Sequence, residues 1–135
     1  MIVVDSNMLV YLYLSPERSP QMERILLRDA AWSAPLLWRS EFCNVLSFYI
    51  RKRLLTLEVA HRMMEQALQF MNAREYHVAS AQVLNLVNQS VCSAYDCEFV
   101  ALARDMDVPL LTADQQILGQ FPETATSPEQ YLASG

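Results

Sequence analysis

The chain has 135 residues, of which 53% are apolar and 19% charged, so we predict one globular domain over residues 1–135 with a substantial hydrophobic core. No apolar run is long enough to span a membrane, and two glycines are too few for a phosphate-binding loop. The net charge of −5 is not typical of a nucleic-acid binder, unless acidic residues gathered at a site dominate the count.

The N-terminal sequence and the cysteines indicate the cellular compartment. The chain starts directly with an apolar, strand-like run and lacks the basic segment and cleavage site of a signal peptide. Cys43, Cys92 and Cys97 are odd in number and show no CxxC spacing, so we expect reduced thiols and no zinc site. We therefore predict a cytoplasmic protein without a membrane partner.

The first half of the chain alternates strand and helix patterns. Residues 2–4 form a β-branched run that predicts a buried strand, and Asp5 follows it as a helix-capping residue. Apolar residues then recur at helical spacing in two long stretches, whose inner stripes we assign to core packing or to a protein–protein surface. The predicted helices cover residues 8–14, 20–28, 42–53 and 56–71, and a second strand covers residues 30–33.

The second half continues this alternation and indicates the fold class. We predict strands over residues 76–78, 108–112 and near Ala125, and helices over residues 79–88, 94–104 and 114–118, before a loose C-terminus. Alternating strands and helices indicate an α/β domain with a mainly parallel central sheet. Ligands bind such sheets at the carboxyl ends of the strands, where Asp5 and Asp114 are predicted to lie.

Four acidic residues stand at the heads of predicted helices: Asp5, Glu41, Asp96 and Asp114. Each one alone is explained as a helix cap or as an acid that meets the helix dipole. Together they would converge at one sheet edge and repel one another unless a cation neutralises them or some are protonated. Oxygen ligands without histidine favour Mg²⁺ or Mn²⁺, and such a site can activate water for attack on a phosphoryl group.

The motifs that carry these acids resemble those of a known family. The opening MIVVDSNMLVYLYL, the segment RSEFCNVL and the segment SAYDCEFVALARDMDVPLLTADQQI are similar to the four motifs of PIN domains, in family order, over residues 1 to about 118. The subgroup that they resemble most is that of the VapC-type toxins. The resemblance implies a three-layer α/β/α fold with a parallel sheet. It also implies Mg²⁺- or Mn²⁺-dependent RNA cleavage, homodimerisation and inhibition by a small antitoxin.

The resemblance also implies roles for individual residues. Asp5 and Asp96 would be the firmest metal ligands, Glu41 would bind metal or position water, and Asp114 would complete the pocket. Polar neighbours of these acids would orient the carboxylates by hydrogen bonds. These neighbours are Ser6, Asn7 and Thr112.

The sequence leaves open the role of the basic residues and two alternative functions. Arg39, Arg51, Lys52 and Arg53 are candidates for RNA phosphate contacts, although the last three also suit a solvated helix C-terminus. The first rival function is a weakly catalytic or non-catalytic PIN scaffold that binds RNA or a protein. The second is a metal-dependent phosphatase or phospho-acceptor domain. It would require a second Asp where Asn7 stands, or a positioned lysine.

Overall fold

Five short parallel strands form the central sheet in the computed structural model, which describes residues 1–135. The sheet order is β3-β2-β1-β4-β5, so β1 lies in the middle and pairs with both β2 and β4. The strands are β1 (Ile2–Val4), β2 (Trp32–Pro35), β3 (Glu75–Tyr76), β4 (Leu110–Leu111) and β5 (Ala125–Thr126).

Eight helices cover the two faces of the sheet. They are α1 (Ser6–Leu14), α2 (Ser19–Arg28), α3 (Trp38–Arg51), α4 (Leu57–Met71), α5 (Ser80–Asn88), α6 (Ala94–Met106), α7 (Gln115–Gln120) and α8 (Pro128–Ala133). Helix α6 packs on β1, β2 and β4 with α5 against it, while α1, α3 and α4 pack side by side in the other layer. The predicted three-layer α/β/α fold with a parallel sheet is therefore confirmed. No helix is long and apolar enough to cross a membrane.

The core is centred on β1 and α6. All three residues of β1 are buried, as expected for a strand covered on both faces. Helix α6 buries six of its thirteen residues, including Phe99 and Val100, because it lies between the sheet and α5. Burying each large apolar side chain of this kind stabilises the fold by roughly 1.5–3 kcal/mol. The sheet centre is thus a rigid base for the residues that follow its strands.

Several predicted element boundaries differ from the structure by one to four residues, and two of the differences have a local explanation. The second strand begins at Trp32, two residues later than predicted, because Asp29 accepts the Ala31 N–H in a turn before it. The prediction of a loose C-terminus is wrong, since α8 ends the chain there. Its start is stabilised by a capping box, in which Ser127 and Gln130 hydrogen-bond each other's backbone N–H groups.

Candidate active site

Four carboxylates from four parts of the chain line one open cleft of about 560 Å³ at the carboxyl edge of the sheet. Asp5 directly follows β1, and Asp114 lies just beyond β4. Glu41 is in the first turn of α3, and Asp96 is in the first turn of α6. Parallel strands carry these helix N-termini to one edge, so residues more than one hundred positions apart meet.

Asp5 is held by a set of hydrogen bonds at the head of α1. It caps the helix through Oδ1, which accepts the Ser6 N–H at 2.8 Å. Its Oδ2 accepts the Thr112 hydroxyl at 2.7 Å and the Asn7 amide at 3.3 Å. Asp5 is only 8% exposed, and its pKa is raised to about 6, chiefly by burial and to a smaller extent by the charges of Glu41 and Asp96. The Thr112 hydrogen bond opposes this rise.

Glu41 is oriented by a neighbour of Asp5. The Ser6 hydroxyl donates to Glu41 Oε1 at 2.7 Å, which links α3 to the head of α1. Burial raises the pKa of Glu41, and the charges of Asp96 and Glu98 raise it further. Glu98 itself lies in a separate groove beside α5, outside the cleft. Glu41 is therefore a half-buried carboxylate in an acidic environment.

The head of α3 is fixed to the edge strand by a second carboxylate. Glu75 of β3 accepts two hydrogen bonds from the Arg39 guanidinium, both at 2.6 Å, and one from the Trp38 indole N–H at 2.7 Å. These contacts hold the pKa of Glu75 below its usual value. Because Glu41 follows Arg39 by two residues, these Glu75 contacts, which we call the Glu75 clamp, also fix the position of the Glu41 backbone.

Asp96 and Asp114 face each other across the other side of the cleft. Burial and the nearby Asp114 charge raise the pKa of Asp96, whose backbone N–H is capped by the Ser93 hydroxyl at 3.1 Å. Asp114 Oδ1 caps α7 by accepting the backbone N–H groups of Gln116 and Ile117 at 2.9 and 3.0 Å. Asp114 is therefore both a helix cap and a cleft residue, so the two interpretations of this acid are compatible.

Thr112 connects two of the acids from a fully buried position at the end of β4. Its hydroxyl donates to Asp5 and accepts the Asp114 N–H at 3.0 Å and, more weakly, the Asn7 amide at 3.5 Å. One donor and two acceptor sites are all that a hydroxyl offers, so this group is saturated. Asn7 Oδ1, in contrast, is buried without a hydrogen-bond partner.

Comparison with known proteins places this chain in a family. The family model described as the PIN domain matches residues 2–123. The chain belongs to the PIN-domain family. Ribonuclease VapC3 from Pyrobaculum aerophilum is 33% identical to this PIN domain over 129 residues, which cover 93% of this chain and 98% of that protein.

Solved structures show the same fold at lower sequence identity. The structure of PAE2754 from Pyrobaculum aerophilum has a TM-score of 0.77 and 18% identity, and the match covers 97% of this chain and 92% of that one. FitAcB from Neisseria gonorrhoeae has a TM-score of 0.69 and 17% identity, with coverages of 96% and 99%. A toxin–antitoxin complex from Klebsiella pneumoniae has a TM-score of 0.68 and 16% identity, with coverages of 95% and 98%.

The donor chemistry of this PIN domain suits a hard divalent cation. The acidic side chains of the cleft offer oxygen atoms only, and Asn7 adds a buried amide oxygen that has no protein partner. Burial, and then the charges of neighbouring acids, raises the pKa values of three of these carboxylates, and a bound cation would relieve the repulsion between them. No three His, Cys, Asp or Glu side chains stand close enough together to hold an ion as they are, so an ion bound there would take one or two carboxylates and complete its coordination with water.

The predicted basic residues lie outside the cleft, which no Lys or Arg lines. Arg39 is engaged by Glu75. Arg51, Lys52 and Arg53 lie at the far end of α3, where Arg51 is roughly 15 Å along the helix axis from Glu41. Their proposed phosphate contacts stay a prediction, and they are not part of the acidic site.

Sequence reasoning missed three polar residues that line the cleft. Ser40 and Asn44 flank Glu41 on α3, and Tyr95 precedes Asp96 on α6. The helical spacing of Ser40 and Asn44 around Glu41 was a usable signal, because residues three or four apart share a helix face. Tyr95 gave no such signal, since its exposure depends on how α6 meets the cleft.

Proposed function

We propose that this PIN domain is a metal-dependent endoribonuclease and the toxin of a toxin–antitoxin pair. The observation that carries the proposal is the convergence of Asp5, Glu41, Asp96 and Asp114 on one cleft. The 33% identity to a protein named ribonuclease VapC3, over nearly all of both chains, supports RNA as the substrate.

The proposed cofactor is Mg²⁺ or Mn²⁺, held by Asp5 and Asp96, with Glu41 and Asp114 binding directly or through water. Such an ion, when bound, neutralises charge on the phosphoryl group and activates water. The Thr112 hydroxyl and the Asn7 amide orient the Asp5 carboxylate by donating hydrogen bonds to it, and the Ser6 hydroxyl orients Glu41 in this way. Glu41 Oε2 has no protein partner, and the raised pKa of this group suits it to accept a proton from water.

The proposed partners are a small antitoxin protein and a second copy of this chain. The likeness to a structure described as a toxin–antitoxin complex supports an antitoxin partner. Co-purification with the product of an adjacent gene would test the antitoxin, and light scattering of the purified chain would test the homodimer. A monomer at micromolar concentration would contradict the dimer.

A PIN scaffold that binds RNA or protein and cleaves poorly is the second candidate. It is favoured by the absence of any three acidic, His or Cys side chains close enough to hold an ion and by the net charge of −5. The two candidates differ in one result, because a scaffold binds RNA without breaking it when metal is added.

The deciding experiment is an RNA cleavage assay with Mg²⁺, Mn²⁺ or EDTA. We compare the wild type with Asp5→Asn and Asp96→Asn, and use Asp105→Asn as the matched control, since Asp105 is an exposed acid of α6 outside the cleft. The expected result is metal-dependent cleavage that both cleft variants lose and the control keeps. Cleavage that survives EDTA and both cleft substitutions would refute the proposed site.

A further inference from the structure

Only two of the thirteen aromatic residues are exposed, one in the acidic cleft and one further along α3. Tyr95 is 63% exposed and Phe48 is 53% exposed, whereas the others are buried or half-buried. Tyr95 lines the cleft next to Asp96. Phe48 follows the cleft residues Asn44 and Val45 by four and three positions on α3, so it continues the same helix face. One exposed ring thus lies in the cleft, and the other lies beyond the cleft residues of α3.

Packing of the fold does not account for these rings. Tyr95 makes no aromatic, cation–π or side-chain hydrogen-bond contact within the chain. Phe48, the other exposed ring, has two neighbours on α3 and at its end. Phe48 meets the Tyr49 ring edge-on at 6.1 Å between centroids, and Lys52 Nζ lies 4.8 Å from its centroid. An exposed aromatic beside a positive charge is a surface on which a nucleobase can stack next to its phosphate.

The composition of the cleft limits what it can offer a nucleic-acid ligand. No Lys or Arg lines the cleft, so the protein offers phosphates no cation there. The remaining lining that is not acidic is small, polar or apolar, as at Ser40, Leu37 and Val45. Contacts to bases, together with any bound metal, are then the available sources of affinity. Bases in a duplex are already stacked on each other and have no free face, whereas unpaired bases do.

We propose that Tyr95, in the acidic cleft, and Phe48, further along α3, are stacking platforms for unpaired bases of the RNA substrate. This inference rests on the proposed function and names two residues that would bind its substrate. Phe48 lies roughly 10 Å from Glu41 along α3, which is one helix segment of seven residues. The bases would therefore stack at two points, one in the cleft and one further along α3.

The test compares Tyr95→Leu and Phe48→Leu with Tyr95→Phe, which keeps the ring, and with Leu27→Ala, an 89% exposed residue of α2 that serves as the control. The probe is a single-stranded RNA oligonucleotide that carries 2-aminopurine, whose fluorescence falls on stacking, measured with Ca²⁺ in place of Mg²⁺. The same strand annealed to its complement is the duplex arm. Steady-state cleavage with Mg²⁺ separates KM from kcat.

We expect each leucine variant to weaken binding of the single strand and to raise KM by roughly 5- to 150-fold, equivalent to about 1–3 kcal/mol per base, with little change in kcat. Its fluorescence quenching should fall, while Tyr95→Phe and the control keep wild-type values. The duplex should compete poorly. All four variants change exposed residues, so equal thermal unfolding midpoints are expected and will show that the fold is intact.

Four results would overturn the inference. If the wild type cleaves RNA but the leucine variants match it in KM and quenching, the stacking sites are refuted and the proposed function stands. Equal affinity for the duplex would refute the preference for unpaired bases. If either leucine variant changes the oligomeric state in light scattering, the rings belong to an interface between copies. If the wild type neither binds nor cleaves any RNA, the proposed function and this inference fail together.

Discussion

The buried carboxylate of Asp5 should destabilise the metal-free protein at neutral pH. Its pKa is raised from 3.8 to about 6 in the folded chain, mainly by burial. A raised pKa means that the folded state favours the protonated form, so the associated stability is present in acid and is lost as pH rises through 6. A rise of this size corresponds to about 3 kcal/mol between strongly acidic conditions and pH 8.

Asp5→Asn should therefore stabilise the metal-free chain at pH 8. Asparagine keeps the shape and the helix-capping oxygen but carries no charge. Its amide cannot accept both the Thr112 hydroxyl and the Asn7 amide as Oδ2 does, which costs about 1 kcal/mol. The expected net gain in the free energy of unfolding is about 2 kcal/mol at pH 8. At pH 4 the variant should be equal to the wild type or slightly less stable.

Urea unfolding in EDTA, followed by the fluorescence of the buried Trp32 and Trp38, measures both values. The change in unfolding free energy on substitution should differ by roughly 2–3 kcal/mol between pH 8 and pH 4. Asp105→Asn should show no such difference. The reasoning is refuted if the substitution has the same effect at both pH values, or if it destabilises more at pH 8. Added Mg²⁺ should narrow the gap at pH 8, because only the wild type keeps the full ligand set.

Three further predictions concern the groups that support the site. Thr112→Val should cost about 1–3 kcal/mol of unfolding free energy, because it removes the hydroxyl that donates to Asp5. The same loss should raise the pKa of Asp5 further, so the pH at which cleavage reaches half its maximum should move upward. A pH–rate profile that does not move would contradict this prediction. Glu75→Gln should reduce stability by about 1 kcal/mol and lower kcat, because the Trp38 and arginine contacts at the head of α3 weaken. Since the pKa of Glu75 is lowered in the folded chain, this stability loss should fade as the pH falls through that lowered pKa, which urea unfolding at several pH values would show. Ser127→Ala should cost about 1 kcal/mol through loss of the α8 cap, and a thermal midpoint equal to the wild type would argue against it.

Local signals in the sequence predicted the parts of the fold that depend on local chemistry. The β-branched run before Asp5 and the Ser93 cap before α6 specify a buried strand and a helix start within a few residues. The four acids were identifiable because each stands at such a boundary. The missed helix α8 also has a local signal, in Ser127, Pro128 and Gln130, so that error came from the brevity of the segment.

Other features depend on distant parts of the chain and left no local pattern. The register of β2 is set by pairing Ala34 and Pro35 with Glu75 and Tyr76, some forty positions away. The Glu75 clamp on α3 arises from the same pairing. The exposure of Tyr95 follows from how α6 meets the cleft rather than from its neighbours in sequence. Such relationships are fixed by tertiary packing and by the sheet order.

The four acidic residues are spread along the chain, so the acidic cleft forms only when nearly the whole chain has folded. Asp5 is near the start of the chain, yet its hydroxyl partner Thr112 and its neighbour Asp114 come from β4 and the turn after it. β4 inserts between β1 and β5, so the middle of the sheet is closed only after more than one hundred residues are in place. A chain still being synthesised therefore carries three of the acids without the strand that brings the fourth to them, and cannot present the complete acidic cleft.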